Sequence, residues 1–340
     1  MRFGLFHTVQ WPEGSGQQQQ YRNALDQALL AEELGFDAVW MTEHHFTRHG
    51  ITSDSLMLLT HLAATTQRIR LGTAVAVLPF HDPVRLAEST ALLDQLSDGR
   101  LDVGIGRGYQ WTEYEGFALE LADGTDRFEE ALAVLLASWN ATEPFDFDGR
   151  FHQYRAAFPQ PRSVQQPHPP VWHATTSAAG LHRCAENEWG VLLAQGTPSA
   201  VVERLVHDYR DQLALVGRPE SMRRVALARG MYCAPTDAEA TKTYLGPYVD
   251  FLQLAARVSA SPQPAGDAAP RNPVQLDDPE ALRETIVCGS PDTCADAIAA
   301  LADLGIEYLL FFVNLGGMPH EDVMRSLRLF ASEVMPRFRS

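Results

Sequence analysis

Residues 38–50 read AVWMTEHHFTRHG, and this stretch decides what kind of fold the chain forms. Positions 38–42 make a short β-type run without polar alternation, the pattern of a strand buried on both faces. Glu43, His44 and His45 follow at once. Titratable groups crowded at the C-terminal end of a doubly buried strand are what a helix-covered parallel sheet presents at its functional edge.

Working outward, seven more runs of this kind occur at 3–6, 69–77, 101–105, 171–174, 191–194, 225–231 and 308–313. Segments of helical period lie between them, as in Phe128, Ala131, Leu132 and Leu135, or Val323, Leu327, Phe330 and Val334. Strands alternating with helices require parallel pairing through crossovers, and eight such units predict an α/β fold, a (β/α)8 TIM barrel. A doubly wound open sheet lacks its usual mark here, because no GxGxxG follows the first run. Two stretches exceed a minimal barrel: an insertion at 142–170, after the fourth strand's helix, and one at 259–279, before the eighth strand. The second has the composition of a mobile lid. One barrel domain is expected over 1–340.

Bulk properties narrow the function. With 340 residues, 45% of them hydrophobic, the chain can bury a large core. A formal net charge of -16 with no basic run excludes a nucleic-acid partner on electrostatic grounds. No apolar run approaches the ~20 residues of a membrane span, and MRFGLFHTVQ has no signal-peptide core, so a cytoplasmic protein is expected. Cys184, Cys233, Cys288 and Cys294 are scattered, without the spacing of a disulfide framework or a zinc site. Adjacent His44 and His45 point to opposite sides of an extended chain, so no metal is expected between them.

In a barrel, the loops that follow the strands carry the chemistry. After the fourth run comes GIGRGY, 104–109, in which glycines let the backbone approach a ligand and the Arg107 guanidinium suits a phosphate. After the fifth come Thr176 and Ser177 ahead of a helical segment, where hydroxyls and free amides make an anion site. Both sets also fit purely structural roles, Arg107 as a bridge between loops and Thr176 with Ser177 as a helix cap.

TEHHFTRHG, LGTAVAVLPFHDPVRLAE (71–88), LLDQLSDGRLDVGIGRGY (92–109), PPVWHATTSAAG (169–180) and CGSPDTCADAIAALADLGIEYLL (288–310) together resemble the bacterial luciferase-like flavin-dependent monooxygenases, and within them the luciferase alpha-subunit branch. The resemblance runs in order along nearly the whole chain. It implies a homodimeric barrel that takes reduced FMN from a separate flavin reductase. The bound flavin would react with O2 through a C4a-hydroperoxide to oxygenate a small organic substrate. His44 matches the active-site histidine of that family and His45 its supporting neighbour, an imidazole pair suited to proton transfer near neutrality. By the same resemblance, Glu43 belongs to the flavin-side hydrogen-bond network, and Arg107, Thr176 and Ser177 bind the phosphate, with Arg127 a secondary candidate for it. Ala74 and Val75 stand where the family commonly has a non-prolyl cis peptide against the flavin ring. Two positions depart from it: Gly106 replaces a cysteine of some luciferase subunits, and Thr175 an acidic residue. Two further functions stay in view. One is a deazaflavin-dependent hydride-transfer oxidoreductase, because related barrels bind that cofactor in the same cleft. The other is a non-catalytic flavin-binding subunit.

Overall fold

Each run becomes a strand because its residues have nowhere polar to face: the barrel interior lies on one side and the helical layer on the other. The computed structural model describes residues 1–220, 224–260 and 279–339. Eight parallel strands, β1 Arg2–His7, β2 Ala38–Met41, β3 Arg70–Thr73, β4 Leu101–Gly106, β5 Val171–Ala174, β6 Gly190–Leu193, β7 Val225–Cys233 and β8 Tyr308–Phe312, pair in chain order. Pairing of β8 with β1 closes the cylinder. The predicted (β/α)8 TIM barrel is therefore the fold.

The helices are α1 Gln17–Leu34, α2 Ser55–Thr65, α3 Pro83–Leu96, α4 Trp111–Gly116, α5 Gly124–Asn140, α6 Ala178–Asn187, α7 Ser199–Leu215, α8 Asp237–Ser259, α9 Pro279–Arg283, α10 Pro291–Asp303 and α11 His320–Glu333. Side-chain caps start several of them: Asp54 accepts from Met57 N–H at α2, Asp82 from Arg85 N–H at α3 and Ser290 from Thr293 N–H at α10. The periodic residues Phe128, Ala131, Leu132 and Leu135 of α5, and Val323, Leu327 and Phe330 of α11, are buried against the strands. Among the described residues, no helix is long and apolar enough to cross a membrane.

Large rings fill much of the barrel interior, with Leu192 and Leu310 beside them. Trp40, Trp172 and Tyr308 meet edge-on, with centroids 5.7–6.3 Å apart, and the Trp40 Nε1–H donates to the Tyr308 hydroxyl at 2.8 Å. Glycine on the adjacent, paired strands makes this possible. A Cβ on Gly72 would overlap the Trp40 indole, and one on Gly190 the Trp172 indole.

Three features differ from the sequence reading. The third run is divided into β3 and a two-residue segment, Ala76–Val77, whereas the Ala74–Val75 peptide between them is cis, as the family resemblance implied. The insertion at 142–170 carries an antiparallel hairpin, Phe145–Asp148 with Gln153–Ala157. An additional strand, Ile286–Gly289, extends the sheet beside the C-terminal half of β7. The lid candidate at 259–279 lies, from 261 to 278, outside the described residues.

The interior packing gives a stability test. Gly72→Ala should destabilise the fold by about 1–3 kcal/mol, the usual range for overpacking a core. Trp40→Phe in the same chain should recover part of that loss, and denaturant unfolding of both variants measures the coupling. If Gly72→Ala unfolds like the parent, the Trp40–Gly72 contact does not limit the interior.

Candidate active site

The strand ends bring the expected residues to one mouth of the barrel. Glu43, His44 and His45 leave β2 together. Ala74 and Val75 follow β3, Arg107 follows β4, and Thr176 and Ser177 follow β5. Ile105 of β4 is in register with His173 of β5, so Arg107 and Thr175 emerge from neighbouring strands at the same level.

His44 is buried, with 9% of its surface exposed. Its Nδ1 lies 2.9 Å from Glu113 Oε1, and the same oxygen accepts from the His45 backbone N–H at 3.0 Å. A carboxylate can only accept, so the Nδ1 hydrogen points at Glu113 and Nε2 is left to take or give a proton. No hydrogen bond to Nε2 occurs among the described residues. Gln110 stands 3.2 Å from Nδ1, and the His49 ring meets His44 edge-on at 4.7 Å. Burial, followed by the neighbouring His44, holds His49 well below its ordinary pKa.

His45 turns the other way. Its Nε2 sits 3.1 Å from Glu43 Oε1, and its ring packs edge-on against Phe117 and Phe80. Glu43 is 3% exposed and spends both oxygens inside the protein: Oε2 lies 2.7 Å from His81 Nε2 and accepts from Val77 N–H at 3.0 Å. Burial pushes the Glu43 carboxyl up, but the charge of His81 and hydrogen bonds from His45, His81 and Val77 outweigh it, and the pKa falls to about 2.

Arg107 is half-buried, and Nη1 gives a hydrogen bond to Thr125 Oγ1 at 3.1 Å. Its flanks carry no side chains. Gly106 receives Val75, and Gly108, at φ +76°, receives Val77. Ser177 caps α6 by accepting from Gly180 N–H at 3.1 Å, and Thr176 beside it is exposed. Arg127 instead places its guanidinium 4.3 Å from the Phe151 ring centre.

Glu113, Gln110, His49 and His81 received no role from the sequence, although each was within reach of a signal. Glu113 and Gln110 follow the GRGY turn within a few residues, and His81 closes the LPFHDP turn. What joins them to His44 and Glu43 is contact between loops, which spacing does not encode.

The family model described as luciferase-like monooxygenase matches residues 1–308. The oxygenase component of a flavin-dependent trigonelline monooxygenase from Acinetobacter baylyi is 28% identical over 355 residues, covering 99% of this chain and 96% of that protein. The crystal structure of the monooxygenase RslO1 from Streptomyces bottropensis superposes with a TM-score of 0.89 at 28% identity, over the whole of both chains. A coenzyme F420-dependent tetrahydromethanopterin reductase from Methanopyrus kandleri shares the fold, with a TM-score of 0.73 at 20% identity over 99% of each chain.

The depressed Glu43 pKa has a consequence for acid stability. A carboxyl lowered from about 4.5 to about 2 stabilises the fold fully above its unfolded value and loses that contribution as pH falls toward 2. The stability of the parent should therefore drop by roughly 3 kcal/mol more than that of Glu43→Gln between pH 5 and pH 2. Denaturant midpoints at a series of pH values measure it, and parallel curves for the two proteins would count against the network.

Proposed function

The chain belongs to the luciferase-like monooxygenase family, and on that premise we propose that it is the oxygenase component of a two-component system, binding reduced FMN from a separate flavin reductase and using O2 to oxygenate a small organic substrate. One observation carries the reading. A glycine-flanked arginine, a hydroxyl-bearing helix N-terminus and a histidine with a free Nε2 converge on one barrel mouth. The likeness to the A. baylyi oxygenase component supports both the flavin and the reductase.

The residues suit the cofactor. Arg107 gives Thr125 a single hydrogen bond and so keeps guanidinium donors for a phosphate. Thr176, Ser177 and the first amides of α6 add neutral donors and a favourable helix end. This donor set fits a terminal monophosphate better than the diphosphate of FAD. Bound there, reduced flavin supplies the electrons that activate oxygen. The protein's task is then to position and to keep dry. Glu113 holds the Nδ1–H of His44 and so aims Nε2 as a proton carrier. Phe80 and Phe117 pack against His45, Tyr114 backs Phe80, and together they limit water on that side of the rim.

Anaerobic titration with reduced FMN, followed by O2 uptake and product analysis on a panel of aldehydes, ketones and trigonelline, tests the reading. The parent should bind FMN in preference to FAD and consume O2. Arg107→Ala should weaken binding by about 10- to 100-fold, the range for hydrogen bonds to charged groups. His44→Ala should leave affinity nearly unchanged while product yield falls by about 10²- to 10⁴-fold. A parent that takes up no O2 with reduced FMN would turn the assignment to deazaflavin hydride transfer, the chemistry of the F420-dependent barrel that shares this fold. The same reading makes the chain a homodimer through α2 and α3, where Met57, Leu92 and Leu96 keep 70%, 49% and 55% of their surface exposed. A monomer in sedimentation at micromolar concentration would remove the dimer.

A further inference from the structure

Glu43 ties two strand ends together and reaches a third through Val77. Through His45 it holds the turn after β2, and through the Val77 N–H it holds the segment after β3. Val77 is in register with Gly106, the residue before Arg107. The fit is close on both sides of that arginine: a Cβ on Gly106 would lie 2.6 Å from Val75 Cγ2, and one on Gly108 2.6 Å from Val77 Cγ1. Wherever the Glu43 carboxylate holds Val77, the Arg107 turn must follow.

The remaining partner, His81, differs from the others. Its side chain keeps 28% of its surface exposed, whereas that of Glu43 keeps 2%, so His81 exchanges protons with solvent from the edge of the cluster. The charged and titratable groups that face it are Glu43, with His45 beyond, and Asp54 at the N-terminus of α2. Asp82, next in the chain, is engaged with Arg85 N–H and the Tyr154 hydroxyl.

We propose that His81 is a positioning residue: protonated, it locks Glu43 onto the Val77 amide and stiffens the flank formed by Val75, Val77 and Arg107, and deprotonated, it lets that flank slacken. That this flank borders a flavin rests on the function proposed above. The clasp itself does not. Burial disfavours a charge on His81, but the Glu43 carboxylate and Asp54 outweigh it and raise its pKa above the ordinary ~6.5. The contribution is therefore complete below that ordinary value and is lost as pH rises through the raised one. Deprotonation turns an ion pair into a neutral N–H on the same carboxylate and removes only the cation's share of the attraction, so roughly a five- to tenfold effect is expected.

Amide hydrogen exchange at Val77, in the full-length, flavin-free protein and normalised to the intrinsic rate at each pH, reads the clasp directly. Protection should fall about five- to tenfold as pH crosses the His81 transition, while amides in β1 and β5 stay constant. His81→Gln should show the lower protection at every pH, and His81→Arg, which keeps a cation, the higher one. The dissociation constant for reduced FMN, measured alongside, should follow the same pattern. Val77 protection in His81→Gln that matches the parent in size and pH profile overturns the proposal. So does a loss shared equally by β1 and β5, which marks general destabilisation. Absence of FMN binding in the parent would sink the proposed function, and the exchange data would still decide the clasp.

Discussion

The structure depends on how eight strands enclose two tryptophans. Trp40 and Trp172 occupy the barrel interior with Tyr308, joined by the Trp40–Tyr308 hydrogen bond, and glycine at positions 72 and 190 leaves the space they fill. Large rings and missing side chains must coincide across neighbouring strands. A slip of one residue would send every side chain to the opposite face, so this pairing also fixes register. Trp40 lies three residues before Glu43 on the same extended chain, and the placement of the rim follows from the placement of the core.

At the rim, the same economy of contacts continues in polar form. Two carboxylates divide the work. Glu113, brought in by α4, holds His44 and the His45 backbone, while Glu43 holds the His45 ring, His81 and Val77. Both are nearly sealed from water, where an acceptor without donors would be strongly unfavourable. The donors gathered on Glu43 Oε1 and Oε2 and on Glu113 Oε1 give the mouth of the barrel a defined shape before any ligand arrives.

The opposite mouth shows what a structural use of charge looks like. A cavity of about 330 Å³ there is lined by Arg2, Arg68, Arg70, Glu32, Asp37 and Tyr308, among others. Its groups are largely satisfied within the protein: Arg70 forks onto Asp102 at 2.7 Å, Arg339 reaches Asp37 at 2.9 Å, and Glu32 accepts from three consecutive backbone amides. Arg107 and Thr176 at the other end are left with open donor capacity. That contrast follows the general division in such barrels, with stability at the N-terminal face and chemistry at the C-terminal one.

The amino-acid sequence by itself determined the barrel, because strands buried on both faces leave unbroken apolar runs and crossover helices leave a 3.6-residue period. It also placed Glu43, His44, Arg107, Thr176 and Ser177 at strand ends, since position relative to a run is local information. It did not separate the hairpin at Phe145–Asp148 and Gln153–Ala157 from an irregular insertion, although FDFD alternates, and it passed over the strand Ile286–Gly289, whose four residues are too short to carry a period. Only the tertiary structure decided which nitrogen of His44 is held by Glu113 and where the Glu43 carboxylate is spent. Glu113 lies 69 positions from His44 and His81 lies 38 from Glu43, so these bonds exist only once barrel closure has set the loops side by side. A side chain's partner across such a distance is fixed by the packing of whole elements, and no local pattern records it.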